Sequence, residues 1–131
     1  MQPISVYLPG MPALHARLAQ THEFIVACYC AAWCDTCTIY RERFEALACE
    51  HRQHIFVWID IEDDPALLGD EDVENFPTLL IEQSGQALFF GTMLPHIQQL
   101  ERLISSLASG PSAPISGTTL PVLREALLQR Q

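Results

Sequence analysis

The stretch FIVACYCAAWCDTCTIYRERF, residues 24–44, constrains this chain more than any other. Four of the five cysteines, Cys28, Cys30, Cys34 and Cys37, fall within its positions 28–37. Ahead of the turn, EFIVACYC is a continuous apolar run of strand length, the pattern of a strand covered on both faces of a parallel or mixed sheet. Behind it, Tyr40, Phe44, Leu47 and Ala48 recur at helical spacing from Asp35 to about Glu50. The cysteines are therefore spread over a buried strand, a tight turn and a helix start. Their chemistry is that of a metal cage, a disulfide staple or a redox centre.

Composition narrows these three. A chain of 131 residues, 49% hydrophobic, has material for one compact core. With 7 Lys and Arg against 16 Asp and Glu the formal net charge is −9, which argues against nucleic acid or an anionic membrane surface as partner. The N-terminal MQPISVYLPGMPALHARLAQ lacks a basic start followed by an apolar run, and no segment approaches the roughly 18 apolar residues of a membrane span. With Met1 as the start, the expectation is a soluble cytoplasmic protein. In a reducing compartment clustered cysteines are more often metal-binding or catalytic than structural, and an odd total of five weakens the staple further.

Along the chain, Leu14 and Leu18 mark a short amphipathic helix that opens after a proline. HIFVWIDIE reads as a second buried strand, and DDPALLGD as a helix between Pro65 and Gly69. FPTLLIEQSGQALFFG reads as two strands joined by a turn at Ser84 and Gly85. Leu94, Ile97, Leu100, Leu103, Ile104 and Leu107 outline a closing amphipathic helix. The order is β-α-β-α-β-β-α after a short N-terminal strand, which implies a mixed sheet with helices on both faces. Residues 109–119, rich in Ser, Gly, Pro and Thr, read as a linker. Beyond them Leu120, Leu123 and Leu127, with Val122 and Ala126, predict a short helix packing on this domain or on a partner subunit in a homodimer. The division is thus a domain over 1–109 and a linker with its helix over 110–131.

A thiolate that attacks a disulfide forms a mixed disulfide, which a second thiol nearby must resolve. Two cysteines three apart at a helix start meet that need, with Cys34 at the N-terminus as nucleophile and Cys37 one turn in as resolving thiol. The expectation is a redox-active Cys34–Cys37 disulfide, with no metal or other cofactor. AAWCDTC, followed some forty residues later by FPT, resembles the thioredoxin family, and element order agrees from about Ile4 to Leu107. The resemblance implies the thioredoxin-like α/β fold and a thiol-disulfide oxidoreductase in cell redox homeostasis. It implies protein disulfides as substrates and a reductase or other thiol donor as partner. It also implies that Pro77 is cis and packs on the cysteine pair, that Phe76 offers its backbone to a substrate strand, and that Trp33 walls the site.

The chain departs from the family at several places. Asp35 and Thr36 stand where Gly and Pro are usual between the cysteines, and Asp35 either sets a negative charge beside the sulfur that must ionise or merely supports the helix start. Cys28 and Trp58 stand where the family has a buried aspartate and its lysine partner, so the usual proton relay is missing. Cys30 stands at a usual tryptophan, and Trp58 refills the volume. Cys28 and Cys30 alternate along one strand and face the helix that carries Cys37. They are either small buried hydrophobes or, for Cys28, an extra thiol within reach of Cys37. A four-thiolate cage competes, though strand-borne ligands are unusual. Cys49 is incidental, and His15, His22, His51, His54 and His96 have no ligand spacing and default to surface positions. The acidic run over 60–74 is a solvated face or a dock for a basic partner. An alternative to the enzyme is a binding or assembly module of the same fold with weak or vestigial redox activity.

Overall fold

A strand with six consecutive buried residues must be covered on both sides, and the chain folds around such a strand at Ile25–Cys30. The computed structural model describes residues 5–20, 23–69, 71, 73, 75–110, 114–115 and 120–129. In chain order the elements are β1 (Val6–Tyr7), α1 (Pro12–Gln20), β2 (Ile25–Cys30), α2 (Asp35–Glu50), β3 (Ile55–Asp60), a 3₁₀ turn (Pro65–Leu67), β4 (Thr78–Gln83), β5 (Gln86–Thr92), α3 (Ile97–Ala108) and α4 (Leu123–Gln129). The sheet runs β1-β3-β2-β4-β5. β1, β3 and β2 are parallel, whereas β4 is antiparallel to β2 and β5 to β4. This is the mixed sheet with helices on both faces that the element order implies.

Alternation along the strands divides the core in two. Val26, Cys28 and Cys30 of β2 point to one face with Phe56, Trp58, Leu79 and Ile81, and α2 and α3 cover it. Ile25, Ala27 and Tyr29 point to the other, where Val57 and Leu80 meet Leu14 and Leu18 of α1 and Leu123 and Leu127 of α4. The β4–β5 turn falls at Ser84 (φ 54°) and Gly85 (φ 80°). Left-handed backbone at both central residues matches the twist of the flanking strands. No helix among the described residues is long and apolar enough to cross a membrane.

Several details differ from the sequence expectations. The expected helix between Pro65 and Gly69 is only a 3₁₀ turn. Proline opens it, and Gly69, at φ 63°, turns the chain out almost at once. Leu94 is not part of α3, which begins at Ile97 behind an extended His96. Pro95 disfavours helical backbone at the residue before it, and Leu94 is left 61% exposed. His54 is not a surface residue: its ring is buried and stacks on Phe24 at 4.8 Å. Its Nδ1 accepts the Phe24 N–H at 3.3 Å, and burial lowers its pKa from the usual 6.5.

The C-terminal helix packs on this same domain. Leu123 and Leu127 are fully buried, and Glu82 of β4, itself buried, receives the start of α4. Its carboxylate accepts the N–H of Leu123 at 2.7 Å and of Arg124 at 2.9 Å. Burial raises the Glu82 pKa, while those two bonds pull it back. Ile4, His22, the acidic residues at 70, 72 and 74, and most of the 109–119 linker lie outside the described residues.

Candidate active site

The end of β2 delivers the chain into a turn that places Cys34 at the mouth of α2. The Cys34 N–H donates to Ala31 O at 3.1 Å, and its carbonyl accepts the first helical bond, from Thr38 N–H at 3.2 Å. Cys34 thus caps the helix with extended backbone (φ −90°, ψ 118°), yet its side chain makes no capping bond. It is a free, half-buried thiol at the positive end of a 16-residue helix. Asp35, exposed, and Thr36, half-buried, form the first turn beside it.

The second wall comes from the loop before β4. The Phe76–Pro77 peptide bond is cis, as the resemblance implied. Phe76 meets the Trp33 ring edge-on at 5.7 Å, and Trp33 itself is 67% exposed. Pro77 O accepts the Met93 N–H at 3.1 Å, and Thr78 Oγ1 donates to Asn75 O at 2.8 Å. Cys34 and Phe76 pack against the same core cluster. Trp33, Cys34, Phe76 and Pro77 therefore converge on one surface. Leu94, just past Met93, is 61% exposed.

Cys37 is where the structure departs most from the sequence reading. It is joined by a disulfide to Cys30, with Cα atoms 5.9 Å apart, and Cys34 is left free. The thiol paired with Cys37 is neither the expected Cys34 nor Cys28, both of which are free. The cause is geometric. Cys30 ends β2 directly beneath the first turn of α2, so its side chain and that of Cys37 meet in the core, while Cys28 lies one pleat further in. Cys28 Sγ is 3.7 Å from Cys30 Sγ.

Cys28 is fully buried, and desolvation pushes its thiol well above the usual range. It is in register with Trp58 across the β2–β3 pairing, so the two residues occupying the missing relay positions are immediate neighbours. Trp58 is nearly buried, edge-on to Phe44 at 5.7 Å, with the Arg41 guanidinium 5.4 Å over its ring. Tyr40 Oη has no hydrogen-bond partner among the described residues, and burial, then the nearby Cys28, pushes its pKa up. Neither Cys28 nor Tyr40 accepts a proton near neutral pH. A cavity of about 660 Å³ opens beside Cys37, between Ala31, Arg41, Trp58 and Asp60.

Two of the four sulfurs that a thiolate cage would need are bonded to each other. Among the described residues one group, Glu50, His51 and Glu101, brings possible ligand atoms within 4.8 Å of one another, at the opposite end of α2 from Cys37. Cys49 is free and exposed on that same last turn.

Comparison with known proteins places this architecture. The chain is 29% identical over 87 residues to thioredoxin domain-containing protein 2 of Mus musculus, a match covering 65% of this chain and 16% of that protein. It therefore spans about a sixth of that relative's length. It is 25% identical over 95 residues to thioredoxin H9 of Arabidopsis thaliana, covering 70% of this chain and 68% of the relative. The crystal structure of a poplar thioredoxin h superimposes with a TM-score of 0.69 at 15% identity, over 81% of this chain and 98% of that one. The family model described as Thioredoxin matches residues 11–106, so the domain that carries Cys34 and Cys37 belongs to the thioredoxin family.

Proposed function

We propose that the chain is a thiol-disulfide oxidoreductase acting on protein disulfides, with Cys34 attacking and Cys37 resolving. The observation that carries this reading is the placement of a free, half-buried Cys34 at the N-terminus of α2, beside the cis Phe76–Pro77 peptide and Trp33. The Cys34 thiolate attacks one sulfur of a substrate disulfide, forming a mixed disulfide and releasing the other sulfur as a thiolate. Cys37 then attacks Cys34 Sγ, forming the Cys34–Cys37 disulfide and freeing the reduced substrate. Two electrons have passed to the substrate, and a reductase or other dithiol donor must return them. Trp33 and Phe76 give an extended substrate segment an apolar wall. Free thiols at Cys28, Cys34 and Cys49 suit a reducing, cytoplasmic setting.

A second reading, a binding module with weak redox activity, draws support from Cys28 and Trp58 at the relay positions. Reduction of insulin by dithiothreitol, followed by turbidity, separates the two. The enzyme reading expects acceleration by the wild-type chain, none by Cys34→Ser, and a trapped mixed disulfide with Cys37→Ser. Equal rates with wild type and Cys34→Ser would overturn it.

A further inference from the structure

A thioredoxin-type cycle uses two thiols, and this site holds a third that is already bonded to one of them. We infer that Cys30 is an exchange thiol that takes Cys37 from Cys34, moving the oxidised pair from the surface into the core. This rests on the reading in which Cys34 and Cys37 form the first disulfide. The exchange is an internal isomerisation. Cys30 Sγ, as thiolate, attacks Cys37 Sγ; the Cys34–Cys37 bond breaks as the Cys30–Cys37 bond forms, and Cys34 leaves as a thiolate. The proton lost by Cys30 is balanced by one gained at Cys34, and no electrons enter or leave.

Three features support the exchange. The product bond is the one present in the structure. Cys30 and Cys37 are 1% and 2% exposed, whereas Cys34 is free and half-buried. Cys37 lies one helical turn beyond Cys34 and above the end of β2, so it lies between both partners and can be held by either. The consequence is functional. With Cys37 parked on Cys30, the disulfide is hidden from a protein-sized reductant. Cys34 can still capture a substrate, but no resolving thiol is left to release it. The oxidised chain therefore has a resting form that holds its partner covalently instead of turning over. Return requires Cys34 to attack Cys37 again, or a small thiol to enter the cavity beside Cys37.

The sequence supplies a clean assay. Chymotryptic cleavage after Tyr29, Trp33 and Tyr40 puts Cys30 alone on fragment 30–33 and leaves Cys34 with Cys37 on fragment 34–40. The full chain is reduced, oxidised with oxidised glutathione, blocked with N-ethylmaleimide, digested and weighed. The inference expects the two fragments cross-linked in the wild type, with Cys34 alkylated or carrying glutathione. In Cys30→Ala the disulfide should move inside fragment 34–40. Cys34→Ser should retain the cross-link, which keeps the test open if Cys30→Ala does not fold. A wild type whose disulfide lies only within fragment 34–40 overturns the inference and leaves the oxidoreductase reading intact. The oxidoreductase reading fails separately if wild type and Cys34→Ser reduce insulin at the same rate.

Discussion

The two faces of the sheet come from the same strands and hold different kinds of core. The face under α1 and α4 is aliphatic and aromatic, and it is closed by a helix whose first two N–H groups sit on the Glu82 carboxylate. The face under α2 and α3 contains Cys28, Cys30 and Cys37 among its buried side chains, and one of its contacts is a covalent bond that thiols can break. Both faces are filled by large apolar side chains, Phe44, Phe56 and Trp58 on the second as Tyr29, Leu14 and Leu18 on the first. Small sulfur side chains on the second face trade packing volume for exchangeable chemistry. The division makes a sharp expectation: changes on the α4 face should cost stability and spare the disulfide, and changes at Cys30, Cys34 and Cys37 should do the reverse.

The largest effect should come from removing residues 120–131. Leu123 and Leu127 are both fully buried, and at about 1.5–3 kcal/mol for each buried Leu the loss is about 3–6 kcal/mol. Urea denaturation reads this directly. A loss under about 1 kcal/mol would mean that α4 is not part of the core. If the truncated chain changed its cysteine cross-links while still folded, the two faces would not be independent.

Next is Glu82→Ala, which leaves two helix-start donors without an acceptor and should cost about 1–3 kcal/mol. Burial raises the Glu82 pKa above 4.5, so the native state binds its proton more tightly than the unfolded chain does. That contribution is fully present below pH 4.5 and is lost as pH rises through the raised value. The stability difference between wild type and Glu82→Ala should therefore shrink as pH rises through that window. A difference that grew would assign the carboxylate the opposite sign.

Much of this architecture is visible in the residues themselves. An uninterrupted apolar run gives β2, a helical repeat from Asp35 gives α2, and Ser84 with Gly85 gives the hairpin turn. These signals are local, because each reports on neighbours within one or two turns. What is not visible is set by distant parts of the chain. Nothing in TLLIEQ shows that Glu82 will be buried, since its partners are Leu123 and Arg124, some forty residues on. His54 reads as a loop residue until Phe24 stacks on it. Cysteine pairing fails for a related reason. The spacing of Cys34 and Cys37 is a property of one helix, whereas Cys30 meets Cys37 only because the helix lies over its own preceding strand. The clue was present in the strand alternation, which put Cys30 on the α2 face, but alternation gives a face and not a distance.

A third effect tests the far end of β2, away from the cysteines. Burial lowers the His54 pKa, with Glu23 opposing and His51 reinforcing the shift. The unfolded chain then binds the proton more readily. The stability from neutral His54 is present above pH 6.5 and is lost as pH falls through the lowered value. Protonation also removes the acceptor for the Phe24 N–H, a bond worth about 1 kcal/mol. Chemical denaturation at pH 7 and pH 5 should show wild type losing more stability on acidification than His54→Gln. Equal losses would place the acid sensitivity elsewhere.

The smallest effect should come from Cys28→Ala, and it is the one that decides how far the exchangeable chemistry extends into the core. Cys28 Sγ lies 3.7 Å from Cys30 Sγ, close enough to suggest a fourth member of the exchange. Distance alone is a poor guide, because the attacking species is the thiolate. Burial holds Cys28 as a thiol well above the usual range, and its attack would expel a buried sulfur, whereas the attack of Cys30 expels the half-buried Cys34, so Cys28 should neither attack the Cys30–Cys37 bond nor take the proton that Cys30 must lose. Its role is then volume: removing one methylene-sized group costs about 0.8 kcal/mol, less than any change above. The cross-links of Cys28→Ala should match those of the wild type, and Cys28 in the native wild type should resist N-ethylmaleimide at pH 7. A cross-link joining the fragment that ends at Tyr29 to fragment 30–33 would make Cys28 a participant. The boundary between packing and chemistry would then lie one pleat deeper along β2 than the structure places it.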